Sequence, residues 1–577
     1  MKVSRIRIHN FRSLVDVEIE AHDFLMLVGA NNAGKSNVIN ALRCFYEDIK
    51  WTDDDFPKLG AADQDSWVEL TFVLTEDEWE SLADKYKEGV TDHSVVLRRH
   101  FKGNKVQARQ SNIYAVVAGN EQDELFYGAN NVSKAKCGEI VYIPALTTPS
   151  EQMKTTGPSP LRNMLSFMLK RVVSRSPAYT NLGRAFEDLN TEARQEDGFL
   201  TEISGPINAA LDQWNVKIDL SVNPISPEDI SKSLIKYAFV DSMLGDTAFD
   251  LDRFGHGFQR SLIYELIRIA PSFQDRKEPK KKEFSPDFTL LLFEEPEAFL
   301  HPSQQESMAY HLRRLGQESE QQVIISSHSP VFIGKSSDEL CQICRIHKTD
   351  GVSLVHQLRE KEKERLLQSG GDFLSAISDY VADPAVDETK KGHARRLIAN
   401  APTQEIASQH EKFRFQLWLD SDRASMFFAD RVLLVEGATE KALFNYLLAN
   451  DWHDLSRERV FVVDALGKYN FHRFLSLFET YGIYHGIMFD SDDEKNEHEA
   501  INQLIRDKKN AFTLAEPFEF NKCLENHLGL ALPGRDDQKP LQLLKALEDK
   551  SITTEQLDEL KSVFVRALAI QGNGRQA

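Results

Sequence analysis

The sequence predicts an α/β protein with two sites, and three observations carry that expectation. A strand, a glycine-rich loop and a helix follow one another near the start, at "FLMLV", "GANNAGKS" and the apolar positions Val38, Ala41, Leu42 and Phe45. Continuous apolar strands return at "FTLLLF" and "QVIISS", as expected of a sheet covered on both faces. From 429 onward a second alternation of apolar strands and helices begins, at "RVLLVE", "RVFVVD" and "GIMFDSD", and predicts a smaller α/β domain.

A chain of 577 residues exceeds one compact core, and its 41% hydrophobic and 27% charged content is that of a globular protein. The net charge of −20 gives no global attraction to nucleic acid, although an acidic protein can carry a local basic groove. Lys170, Arg171 and Arg175, and the run from Arg276 to Lys282, are candidates, with a solvated face as the plainer reading. The five cysteines include one CxxC, Cys341 and Cys344, in a stretch that reads as a strand without further ligands at zinc spacing. No signal-peptide pattern opens the sequence and no run of about eighteen apolar residues occurs, so a cytoplasmic, membrane-free protein is expected.

In chain order, Val3, Ile6 and Ile8 alternate as in a strand, and short strands with turns fill about 66 to 145. Residues 1–154 and 236–354 are expected to form the two parts of the first domain around a helical insertion at 155–235. A charge-rich helical connector occupies 355–428, and 429–577 form the second domain.

The loop Gly29 to Ser36 matches GxxxxGK[ST] between strand and helix. Asn31, Asn32, Gly34, Lys35, Ser36 and Asn37 are the expected phosphate contacts, Lys35 reaching the terminal phosphates and Ser36 holding Mg²⁺. Glu294, at the end of "FTLLLFE", is placed to hold Mg²⁺ through water, and Glu295 to polarise an attacking water. His328 in "SSHSP" is expected near the γ-phosphate. "FGHGFQRSL" resembles the signature motif of ABC-type ATPases, with His256 where those proteins often carry Ser, then Gly257 and Gln259. "NFRS", Asn10 to Ser13, is similar to the opening of the RecF and SMC branch. That resemblance implies an ATP shared between two heads, hence at least a dimer.

In the second domain, Glu436 ends one strand, Asp490 ends another and Asp492 follows it. C-terminal strand ends share one edge of a parallel sheet, so these carboxylates can converge, and hard oxygen donors suit Mg²⁺ or Mn²⁺. Glu440, one helical turn past Glu436, can serve a second ion. The set resembles the Toprim domain of topoisomerases, DnaG-type primases and certain nucleases. In its nuclease branch a further acid and a lysine near a "KP" pair organise metal and phosphate, which implies these roles for Glu525 and Lys539. Asp464 and Lys468, after another strand, are weaker candidates.

An ABC-type head followed by a Toprim domain resembles the OLD (overcoming lysogenization defect) family nucleases. The resemblance implies an ATP-regulated, divalent-metal-dependent DNA endonuclease or nickase with a two-metal centre, a homodimer or larger, in antiphage defence. It also implies that a helicase-like protein or a reverse transcriptase with its RNA/DNA product, as in retrons, can be a partner. The alternatives are a RecF-like, non-catalytic ATP-gated DNA clamp and a topoisomerase or primase.

Overall fold

The computed structural model describes residues 1–61, 63–130, 136–145, 176–195, 197–214, 216–222, 288–298, 300–367, 369–401, 404–492, 497–532 and 538–570, with residue 535 and scattered positions between 173 and 286. His256, Gly257 and Gln259, the two basic clusters and part of the expected helical insertion lie outside the described residues. The chain divides into one unit of Met1–Lys2, Leu74–Ala83 and Lys136–Val323 and a larger one of Val3–Val73, Asp84–Ala135 and Ile324–Ala577.

In the first unit, Thr289–Glu294 pairs in parallel with Glu139–Ile143, Thr289 opposite Glu139. The first five residues of Thr289–Glu294 are buried and only Glu294 emerges, so the apolar run delivers a carboxylate to the strand end. Helices Pro177–Ala193 and Phe199–Leu211 are described within the segment expected to be helical.

The larger unit contains an antiparallel sheet in the spatial order Leu14–Glu20, Lys2–Phe11, Ser66–Val73, Ser94–Lys102, Ile113–Val117, Asn120–Leu125. Val3, Ile6 and Ile8 alternate inward along Lys2–Phe11, as their period of two requires. Strand Phe24–Val28, buried at all five positions, pairs in parallel with Ile343–Thr349. The latter turns at Asp350 and Gly351 into its antiparallel partner Val352–Gln357. Cys341 closes the helix Ser337–Cys341 and Cys344 lies in the strand, so the CxxC straddles two elements instead of lying in one strand. Both thiols are buried, and burial raises both thiol pKa values, that of Cys341 to about 12.

Residues after 429 form a four-stranded parallel sheet in the order Val460–Asp464, Arg431–Val435, His485–Asp490, Phe518–Phe520. Its core joins Leu433, Val435, Phe444, Met488, Phe520 and Phe564. Helices Glu360–Leu367, Ser369–Ala382, Gly392–Ala399 and Gln404–Trp418 precede it. The guanidinium of Arg345, on Ile343–Thr349, fastens this sheet's approach: Nε donates to Phe427 O (3.1 Å), Nη1 to Tyr481 O (3.2 Å) and Gly482 O (2.6 Å), and Nη2 to Ala429 O (3.1 Å). Gly482 has φ +60°, and a Cβ there would stand 2.6 Å from the His356 ring, so only glycine fits.

Candidate functional site: a phosphate loop and an acidic sheet edge

The loop after Phe24–Val28 is built on close approach. Gly34 adopts φ +116°, and a Cβ on it would meet Ser353 Oγ at 2.4 Å. Ser353 Oγ in turn donates to Ala33 O (2.6 Å), so the hairpin residue holds the loop's shape. Lys35 opens the helix Lys35–Phe45 and its ammonium donates to Gly29 O and Ala30 O, both 2.9 Å. Asn37 donates to Ser13 Oγ (2.8 Å), which ties "NFRS" to the loop. Asn31, Asn32 and Ser36 are exposed. The arrangement leaves helix N-terminal N–H groups and a lysine around one loop, which is an anion site.

Ser327 N–H donates to Leu27 O (3.2 Å), which sets the following His328 alongside the loop strand. Burial, and then the Lys35 charge, lower the His328 pKa to about 4. It is therefore a neutral imidazole at pH 7, able to hydrogen-bond a phosphate without competing with Lys35 for charge. In the other unit, half-buried Glu294 accepts from Tyr142 OH (3.1 Å), and half-buried Glu295 has φ +46°.

The second site lies at the C-terminal edge of the last sheet. Val435 is opposite Asp464 in register, and Asp490 is opposite Phe520. Glu436, Asp464 and Asp490 thus leave the sheet on one edge, as parallel pairing dictates. Glu440, 8% exposed, folds back to accept from Gly437 N–H (3.0 Å). Its pKa rises to about 7 through burial and the Glu436 and Glu525 charges. Asp490 accepts from Leu524 N–H (3.1 Å), and burial, then Glu440, Glu436, Asp492 and Glu525, push it up to about 8. Glu525 is 3% exposed, on the short helix Leu524–His527. Glu436, Asp492 and Glu525 thus stand close enough for their charges to act on Glu440 or Asp490, which groups the five carboxylates in one cluster.

Lys468, 2% exposed, joins them. It donates to the Asp490 carbonyl and to Asp492 Oδ2 (2.9 Å), and lies 3.9 Å from Glu436 Oε2. His498 Nδ1 also meets Asp492 Oδ2 at 2.9 Å. Asp464 is not a member of the cluster: it binds Arg423 (2.5 Å) and Lys441 (3.1 Å). Burial alone would raise its pKa, but those two cations hold it below the usual carboxylate range. Of the two weaker sequence candidates, the lysine enters the site and the aspartate serves an ion-pair network. Lys539 is half-buried at the first residue of the helix Lys539–Glu548.

The donor chemistry, five carboxylates on a buried sheet edge, fits a hard divalent cation. Among the described residues no three His, Cys, Asp or Glu side chains stand around one coordination point. Glu440 accepts from Gly437 N–H, Asp490 from Leu524 N–H, and Asp492 from Lys468 instead. Sequence reasoning missed His498 and Ser353, since neither belongs to a motif and both act through tertiary contacts.

The model for "overcoming lysogenization defect protein-like, TOPRIM domain" matches residues 427–492, which include Glu436, Glu440, Asp490 and Asp492. The model for "AAA ATPase domain" matches 1–126 and 148–333, more than half of the chain. The Old nuclease of Escherichia phage P2 is 24% identical across 85% of this chain and 77% of its own length. Endonuclease GajA of Bacillus cereus (strain VD045) is 23% identical across 92% and 79%. The OLD nuclease of Thermus scotoductus is 20% identical across 98% of both chains.

Proposed function

Because the chain belongs to the AAA ATPase domain family through its head and carries an OLD-like Toprim domain behind it, the pairing of the OLD family, we propose that it is an ATP-regulated, divalent-metal-dependent DNA endonuclease or nickase. The observation that carries the reading is the cluster of Glu436, Glu440, Asp490, Asp492 and Glu525, in which burial and neighbouring carboxylates raise the pKa values of Glu440 and Asp490, on a chain that also holds a phosphate loop. Relatives named as nucleases support it.

Glu436, Glu440, Asp490, Asp492 and Glu525 would hold Mg²⁺ or Mn²⁺. Such ions activate water and stabilise the leaving oxygen of a phosphodiester. The protein's own part is to exclude bulk water from the sheet edge, orient the carboxylates through Gly437 and Leu524 N–H groups, and bring Lys539 to a backbone phosphate. In the head, Lys35 and Asn37 bind the nucleotide, Ser36 and Glu294 hold its Mg²⁺, Glu295 orients water and His328 contacts the terminal phosphate. Nucleotide occupancy there governs cutting.

The domain bounds 1–154, 155–235, 236–354, 355–428 and 429–577 belong to this proposal, as do a homodimer or larger assembly, a role against phage and a helicase-like or reverse-transcriptase partner. Incubation with supercoiled plasmid and Mg²⁺ or Mn²⁺, with and without ATP, tests it. Open circles or linear DNA support the nuclease. Resealed relaxed circles support a topoisomerase, and retention without breakage supports a RecF-like clamp.

A further inference from the structure

Lys468 has no assigned role in the proposed cutting, although it is buried among groups of the acidic edge. It begins the turn Lys468–Asn470, after Gly467 at φ +100°. Its ammonium is held by the Asp490 carbonyl and Asp492 Oδ2 (2.9 Å), with His498 Nδ1 at 3.5 Å, Glu436 Oε2 at 3.9 Å and the Phe489 ring centroid at 5.8 Å. A side chain 2% exposed cannot reach out to a DNA backbone. Its charge therefore acts inward, on the carboxylates.

Asp492 is held from two sides, by Lys468 and by His498, both on the same oxygen. Its backbone is also committed, with φ +54° and its N–H on Lys522 O (3.2 Å). Glu440 and Asp490 accept only main-chain N–H groups in the described bonds, which a divalent ion displaces without breaking an ion pair. Lys468 also pairs with Glu436, but at 3.9 Å against 2.9 Å for Asp492, so Asp492 is the carboxylate it neutralises most closely.

We propose that Lys468 is a positioning residue that serves as a fixed cation: it withholds Asp492 from the other four carboxylates, so that one divalent ion binds tightly and a second binds only by taking Asp492 from the lysine. This rests on the metal-dependent reading of the Toprim domain. The consequence is an ordered, unequal occupancy, in which the weaker ion is the one that limits cutting at low metal concentration.

The test is Mn²⁺ titration of the full chain without nucleotide, by calorimetry and by the electron paramagnetic resonance signal of free Mn²⁺. The wild type is expected to bind one ion tightly and a second more weakly. Removing the unit charge that Asp492 holds at 2.9 Å, in Lys468→Gln, is expected to tighten the weaker ion at least about tenfold and the tight one by a smaller factor. Lys468→Arg keeps the charge and the wild-type pattern. Adding Asp492→Asn to Lys468→Gln should abolish the gain, because Asp492 is the ligand released. If Lys468→Gln does not fold, His498→Gln removes the other restraint and should tighten the same ion by a smaller factor.

An unchanged or weakened second ion in Lys468→Gln, or a gain that survives Asp492→Asn, overturns the proposal while leaving the nuclease reading intact. A wild-type protein that binds no Mn²⁺ overturns both.

Discussion

Arg345→Met offers the sharpest test of how the second domain is fastened. The side chain is 2% exposed and makes four hydrogen bonds, all to main-chain carbonyls of Phe427, Ala429, Tyr481 and Gly482. Burial lowers its pKa to about 10, so it is still charged at pH 7. Methionine fills part of the volume and leaves four carbonyls without that donor. Charged hydrogen bonds contribute about 1.5–3 kcal/mol each, but rearrangement and entering water recover part of the sum. The four carbonyls left behind are neutral, so after that recovery the net loss is about 3–5 kcal/mol, less than the sum of the four bonds. At about 2–4 °C per kcal/mol for a unit of 150–250 residues, the transition of the Toprim region falls by roughly 6–20 °C. Differential scanning calorimetry reads it, and hydrogen exchange identifies the region by faster exchange around 427–429 and 481–484. A fall of less than about 2 °C, with exchange unchanged, would refute the claim that this guanidinium fastens the domain.

Lys35→Ala should remove measurable ATP binding while leaving the circular-dichroism spectrum unchanged, since the bonds of its ammonium to Gly29 O and Ala30 O lie within the loop itself. For the metal-free protein, the folded pKa of Asp490 is raised from 3.8 to about 8. Its stabilising contribution is therefore full below the unfolded value and disappears as pH rises through 8, so Asp490→Asn should exceed wild type in stability in EDTA at pH 8 and lose that advantage at pH 4. Histidine 485 runs the other way: burial lowers its pKa from 6.5 to about 4. Its contribution is present above pH 6.5 and is lost as pH falls through 4, so denaturant titrations should show wild type losing about 3 kcal/mol relative to His485→Asn over that interval.

The parts of the fold legible in the sequence are those whose signal is local. "FLMLV" with "GANNAGKS" fixes strand, loop and helix because apolar run, glycines and helical period stand side by side. Glu436 and Asp490 were legible because apolar strands end on acids, and parallel strands share an edge. Glu525 and Lys539 entered only through resemblance to a family, since a charge on a short helix carries no local mark. The structure gathers Glu525 with Asp490. Asp464 and Lys468 looked alike in sequence, four residues apart, and only the positions of Arg423 and Lys441 divide their roles. Arg345 in "ICRIHKT" reads as a surface charge on a strand, because its four acceptors come from sequence more than eighty residues away.

The central claim is that the acidic edge of the second domain cuts DNA. The most direct measurement is the initial rate of supercoiled plasmid breakage in Mn²⁺ by wild type and by Asp490→Ala, prepared identically and shown to bind ATP equally. The account predicts breakage by wild type and a fall of at least about a hundredfold in the variant, the scale expected when a central ligand of a metal centre is removed. Cleavage by Asp490→Ala at the wild-type rate would contradict it.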